Sequence, residues 1–72
     1  MDRVPDGRRL WRVRKLHHYI DAQIRESDGP ELQLVYGDRI IYRRRWNTRE
    51  EAEDDAAAKL ADLARAGWAA HW

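Results

Sequence analysis

Residues 46–68 read WNTREEAEDDAAAKLADLARAGW, one amphipathic helix with both ends marked. Thr48 stands three residues before Glu51, the spacing of a capping box. The Thr48 hydroxyl can accept from the Glu51 N–H, and the Glu51 carboxylate can accept from the Thr48 N–H. Glu50, Glu51, Glu53, Asp54 and Asp55 fill the first two turns, where negative charge meets the positive end of the helix dipole. Ala52, Ala56, Leu60 and Leu63 recur at spacings of four, four and three, so they share one stripe. Gly67 can take φ > 0 just past the end, and Trp68 can fold back on the last turn. The helix is therefore expected over 49–66. What precedes it reads as strand, and the helix is the cover the strands need.

Working upstream, residues 9–15 alternate apolar and basic, as a short strand or the start of a long one. No Gly or Pro separates them from the next segment. Residues 16–26 put Leu16, His18, Ile20, Ala22 and Ile24 on one face, and His17, Tyr19, Asp21, Gln23 and Arg25 on the other. The first strand is therefore expected over 9–26. Ser27-Asp28-Gly29-Pro30 is a turn cluster. A second strand, 31–36, aligns Leu32, Leu34 and Tyr36, and Gly37-Asp38 reverses the chain into a third, 39–46. Ile40, Tyr42, Arg44 and Trp46 form its more apolar set and are assigned to the helix side, given a bulge or a three-residue loop. A strict two-residue Gly37-Asp38 loop would bring Ile41 instead of Ile40 to the face of Leu34, because a slip of one residue exchanges the faces. The expected fold is α+β: a three-stranded antiparallel β-meander packed against one C-terminal helix in two layers, βββα. Such short connections exclude parallel pairing. Residues 1–8 read as a disordered leader, 9–72 as a single domain, and 68–72 as a docking tail with Trp68 and Trp72.

Seventy-two residues bury a small core, and a chain this size hides only about 60% of its unfolded surface. The absence of cysteine excludes disulfides and thiolate metal sites. No apolar run approaches the length of about 18 residues that spans a membrane, and no signal-peptide core is visible, so a cytoplasmic protein without a membrane partner is expected. The net charge of +1 hides an asymmetry, since residues 1–46 hold eleven Lys/Arg against seven Asp/Glu and residues 47–72 hold three against six. Twelve of the fourteen cations are arginine, whose planar fork suits bidentate contact with phosphate or carboxylate.

No nucleophile triad, phosphate-binding glycine loop or zinc spacing is present. A strand sends the adjacent His17 and His18 to opposite faces, and the acids of the helix start are explained by the dipole. The expectation is a non-enzyme with no cofactor, no metal and no catalytic residue. The basic strands point elsewhere. Arg12, Arg14, Arg25, Arg43 and Arg45 can form a positive outer face with Tyr19, suited to DNA or RNA. The competing structural reading is that solvent-facing strands simply need polar residues and that edge charges block unwanted pairing. Trp46, Trp68 and Trp72 beside an Ala-rich helix allow a different class of function, a protein–protein module or a homodimer.

Val13-Arg14, Ile20-Asp-Ala-Gln-Ile-Arg25, Arg39-Ile-Ile-Tyr42 and Trp46-Asn-Thr48-Arg-Glu50-Glu51-Ala52 together resemble the plant ethylene-response-factor type of DNA-binding domain, whose relatives serve as arms of tyrosine recombinases. The resemblance implies a three-stranded sheet backed by one helix and inserted in the major groove. It implies groove-contacting roles for Arg14, Arg25 and Tyr42, with Tyr42 standing where the family has tryptophan.

Overall fold

A computed structural model describes residues 7–26 and 28–71. Most of the expected leader and Trp72 lie outside them; Gly7 and Arg8 begin the first strand. The elements are β1 (Gly7–Lys15), β2 (His18–Glu26), β3 (Pro30–Tyr36), β4 (Arg39–Arg45), α1 (Arg49–Arg65) and β5 (Ala69–Ala70). They form one antiparallel sheet in the order β4-β3-β2-β1-β5, with α1 packed on β3 and reaching β5. The fold is α+β with one helix, as the pattern predicts. Among the described residues the sheet has five strands, and the expected three-stranded meander is corrected.

The correction lies at Leu16. The expected long strand 9–26 is two strands, folded on a two-residue turn in which Lys15 pairs with His18. Leu16 takes φ +57°, a left-handed conformation that costs a non-glycine residue roughly 1–2 kcal/mol. The hairpin between β3 and β4 uses the same device with the usual residue: Tyr36 pairs with Arg39, and Gly37 takes φ +64°. In both turns only the first central residue has positive φ, the pattern that matches strand twist. Leucine supplies the turn in one hairpin, and nothing in its chemistry announces it. The tail adds the fifth strand, since Val13 pairs with Ala70 and the His71 N–H donates to the Arg12 carbonyl at 2.8 Å.

Two bulges set the faces. Leu10 is extra in β1 between the Arg9–Gln23 and Trp11–Ala22 pairs. Ile41 is extra in β4 between the Ile40–Val35 and Tyr42–Leu34 pairs. The loop is thus the strict two-residue form, and the bulge that follows turns Tyr42 to the helix side. Ile40 is the exception to the expected set. It pairs with Val35 on the opposite face and is 45% exposed.

The core lies between sheet and helix: Trp11, Val13, Ile20, Ala22, Ile24, Leu32 and Leu34 meet Ala52 and Ala56. Leu60, Leu63, Tyr42, Trp46 and Trp68 pack at its margin. The small alanines let the helix approach the sheet closely, so the bulky groups come from the strands. Trp11 Nε1 is buried without a hydrogen-bond partner, a cost offset by the large area its ring removes from water.

The helix ends are as the spacing predicts. The Glu51 N–H donates to Thr48 Oγ1 at 3.1 Å, and the Thr48 N–H donates to Glu51 Oε1 at 3.2 Å. At the other end the Trp68 N–H reaches the Leu63 carbonyl at 3.0 Å and the Gly67 N–H the Ala64 carbonyl at 3.1 Å. These two bonds form a Schellman motif around Gly67, at φ +100°. Lys15 Nζ adds a bond to the Ala66 carbonyl at 2.9 Å, tying the end of β1 to the end of the helix. Among the described residues, no helix is long and apolar enough to cross a membrane.

Candidate nucleic-acid interface

The sheet face away from α1 is built by strand parity and by the two bulges. β1 sends Arg9, Arg12 and Arg14 to it, paired in register with Gln23, Asp21 and Tyr19 of β2. Arg25 follows on β2, opposite Glu31 of β3. β4 contributes Arg43 and Arg45, opposite Gln33 and Glu31. Five of the expected site residues, Arg12, Arg14, Arg25, Arg43 and Arg45, therefore share one face. Tyr42 does not join them. It lies on the helix side, where its hydroxyl donates to Asp55 Oδ2 at 2.7 Å. Of the three residues to which the resemblance gives groove-contacting roles, Arg14 and Arg25 lie on the open face and Tyr42 lies on the helix side.

The face is not a field of unpaired guanidiniums. Arg12 Nε and Nη2 donate to Asp21 at 2.6 and 3.1 Å, and Arg43 Nε donates to Glu31 at 2.6 Å. The bond to Asp21 raises the Arg12 pKa above its ordinary value, and the bond to Glu31 does the same for Arg43. The Arg43 bond also holds the Glu31 carboxyl below the usual range against the opposing effect of burial. Arg12, Arg43 and Glu31 therefore stay ionised near neutrality. Arg14 Nε donates to the Leu16 carbonyl at 2.9 Å, which braces the strained turn. Gln23 Nε2 donates to Gln33 Oε1 at 2.8 Å at the centre, where Gln33 is only 3% exposed although no helix covers it.

Six arginines and two carboxylates, Asp21 and Glu31, give this face a net charge of +4. The helix has the opposite balance, with Glu50, Glu51, Glu53, Asp54, Asp55 and Asp62 against Arg49, Lys59 and Arg65. Its cations are each engaged by a carboxylate: Arg49 with Glu53 and Glu26, Lys59 with Asp55, and Arg65 with Asp62. The two layers of the molecule thus differ in sign. Arg44 takes no part in the positive face; it stacks over the Trp46 ring at 3.9 Å on the helix side.

Two tryptophans of the alternative site, Trp46 and Trp68, are used internally. Both pack against the core, and the Trp46 indole N–H donates to Asp55 at 3.3 Å. Asp55 also accepts from Lys59 at 3.0 Å. Burial pushes the Asp55 carboxyl up, but the bonds from Tyr42, Lys59 and Trp46 outweigh it, so its pKa is lowered. This cluster fastens β4 to α1. Trp72 lies outside the described residues.

Residues beyond the expected set also belong to the face. Arg9 arrives through the Leu10 bulge, with Nη1 3.9 Å from Asp21. His71 arrives through β5 and lies 5.3 Å from the Tyr19 ring. Neither was legible, because a bulge and a two-residue strand leave no spacing signal. Among the described residues, no group of three His, Asp or Glu side chains is placed to hold a metal ion. Comparison with protein-family models, with curated proteins and with solved structures finds no match to this chain.

Proposed function

We propose that the protein is a small non-enzymatic module that binds nucleic acid through the open face of its sheet. One observation carries the reading: the helix-free face bears a net +4 made of arginine, while the helix layer is acidic. An anionic polymer is drawn to one side of such a molecule and repelled from the other. Arginine guanidiniums are bidentate donors to phosphate, and the half-buried Gln23, held by Gln33 beneath it, adds an amide group at the centre of the face. The ion pairs to Asp21 and Glu31 within the face reduce the field without reversing it. The bonds to Asp21 and Glu31 also hold Arg12 and Arg43 in fixed positions, which lowers the entropy cost of binding. We place this activity in the cytoplasm, where a cysteine-free chain has no need of disulfides.

The test is a salt titration of binding to short labelled oligonucleotides. Affinity should fall steeply as salt rises, by about 0.7–0.9 in the logarithmic slope for each phosphate neutralised. No binding at low salt, or affinity indifferent to salt, removes the reading.

A second reading, self-association or a protein partner, is favoured by a different feature. Leu16, Ile40 and Ile41 are 74, 45 and 49% exposed. All three lie at the end of the sheet that holds the two hairpin turns. Sedimentation equilibrium with wild type and with Ile40→Ser/Ile41→Ser distinguishes the two, since only this second reading expects a mass that rises with concentration and falls to the monomer in the variant.

A further inference from the structure

The two hairpin turns stand at the same end of the sheet. Between them His17, His18, Tyr19, Tyr36 and Gly37 line a recess of about 250 Å³. Four of these five residues present aromatic rings. His18 and Tyr36 stack with centroids 5.6 Å apart and planes at 30°, and the Tyr36 hydroxyl is 2.5 Å from His18 Nδ1. Tyr19 belongs both to the recess and to the arginine face. Its ring lies 5.2 Å from the Arg12 guanidinium and 6.0 Å from that of Arg14, and His71 approaches it from the tail at 5.3 Å.

We propose that this recess takes one unpaired nucleobase, so that the face binds single-stranded rather than duplex nucleic acid. The inference rests on the nucleic-acid reading above and sharpens it. A planar ring system entering from the open face can stack on Tyr19, while His18 and Tyr36, which the register places on the helix side, line the recess beyond it and offer imidazole and hydroxyl groups to a base edge. Arg12 and Arg14 beside Tyr19 are placed for the adjoining phosphates. A base inside a duplex is stacked on both sides and paired, so it cannot enter. Tyr19 is 37% exposed, enough to serve as a platform, and stacking of this kind tolerates any base.

The experiment compares fluorescently labelled ten-nucleotide single strands (oligouridine and oligothymidine) with RNA and DNA duplexes of the same length. Anisotropy is read at low salt and across a salt series. The proteins are wild type, Tyr19→Leu and His18→Leu, whose side chains are exposed and whose folding is checked by circular dichroism. Wild type should bind single strands at least tenfold tighter than duplexes. Tyr19→Leu should lose about tenfold for single strands, the usual loss of one stacked base, and His18→Leu a smaller factor for the lost edge contact, with duplex affinity and salt slope unchanged. Equal affinity for duplex and single strand overturns the recess assignment. So does a single-strand preference that survives both substitutions, and in either case salt-dependent binding leaves the broader reading standing. Absence of binding to all four ligands at low salt overturns both.

Discussion

The two faces of the sheet follow opposite rules. On the helix side, alternate positions are aliphatic or aromatic and nearly fully buried, and one carboxylate, Asp55, is held by three donors. On the open side, arginine, glutamine and two carboxylates predominate, with Tyr19, Val35 and Ile40 among them, and burial comes from neighbouring side chains rather than from another layer. The first face supplies stability, because removing apolar area from water is the dominant favourable term in folding. The second supplies charge of one sign on a rigid support. Surface ion pairs such as Arg12–Asp21 add little to stability. Their effect is to fix where the charge sits.

This contrast is broken most severely from the helix side. Leu32→Ala, at a fully buried position, should cost about 2–5 kcal/mol, read as a lower urea midpoint; for a chain this small that approaches the whole stability. Tyr42→Phe leaves the partly buried Asp55 short of one donor and should cost about 1.5–3 kcal/mol in the same assay. It should leave oligonucleotide affinity unchanged, since Tyr42 is not on the open face. The Asp55 cluster also sets a pH dependence. Its folded pKa is depressed, so its contribution is fully present above the ordinary aspartate value of about 3.9 and is lost as pH falls through the lower folded value. Asp55→Asn should lower stability at pH 7 and flatten the acid limb of a stability–pH curve.

Smaller effects test the turns and the open side. Leu16→Gly relieves the left-handed strain at the cost of a freer unfolded chain, so a gain of up to about 1 kcal/mol in denaturant stability is expected. A loss instead would mean that the turn does not hold Leu16 at positive φ. Glu31→Gln should change stability least, yet it raises the charge of the face by one and releases Arg43 from its ion pair. Oligonucleotide affinity should rise and its salt slope steepen by about 0.7–0.9.

The helix was legible in the sequence because each of its signals is local. Thr48 and Glu51 cap one end, Gly67 and Trp68 close the other, and Ala52 and Ala56 face inward as their spacing requires. The alternation of β2 from His18 onward was equally plain, and so was the reversal at Gly37-Asp38. The strand count was not, because the first hairpin turns on a leucine forced into a glycine-like conformation. Its partner strand and the tail supply that constraint from outside the local sequence. The candidate site was legible to the extent that strand parity governed it. Arg12 and Arg14 follow the two-residue period within β1 and Arg25 follows it within β2, but the two strands share that face only through the turn at Leu16-His17, and Arg9 and the side taken by Ile40 depend on bulges that only the finished pairing reveals. The internal pairing of Arg12 and Arg43 is likewise a cross-strand property that no single segment displays.

The most direct measurement is a titration of isotopically labelled protein with a ten-nucleotide single strand, followed by amide chemical shifts. Shifts should concentrate at Arg9, Arg12, Arg14, Tyr19, Gln23, Arg43 and Arg45, while the exposed positions of Arg49–Arg65 stay in place. Shifts confined to the helix, or none at low salt, would contradict the assignment of the arginine-bearing face as the binding surface.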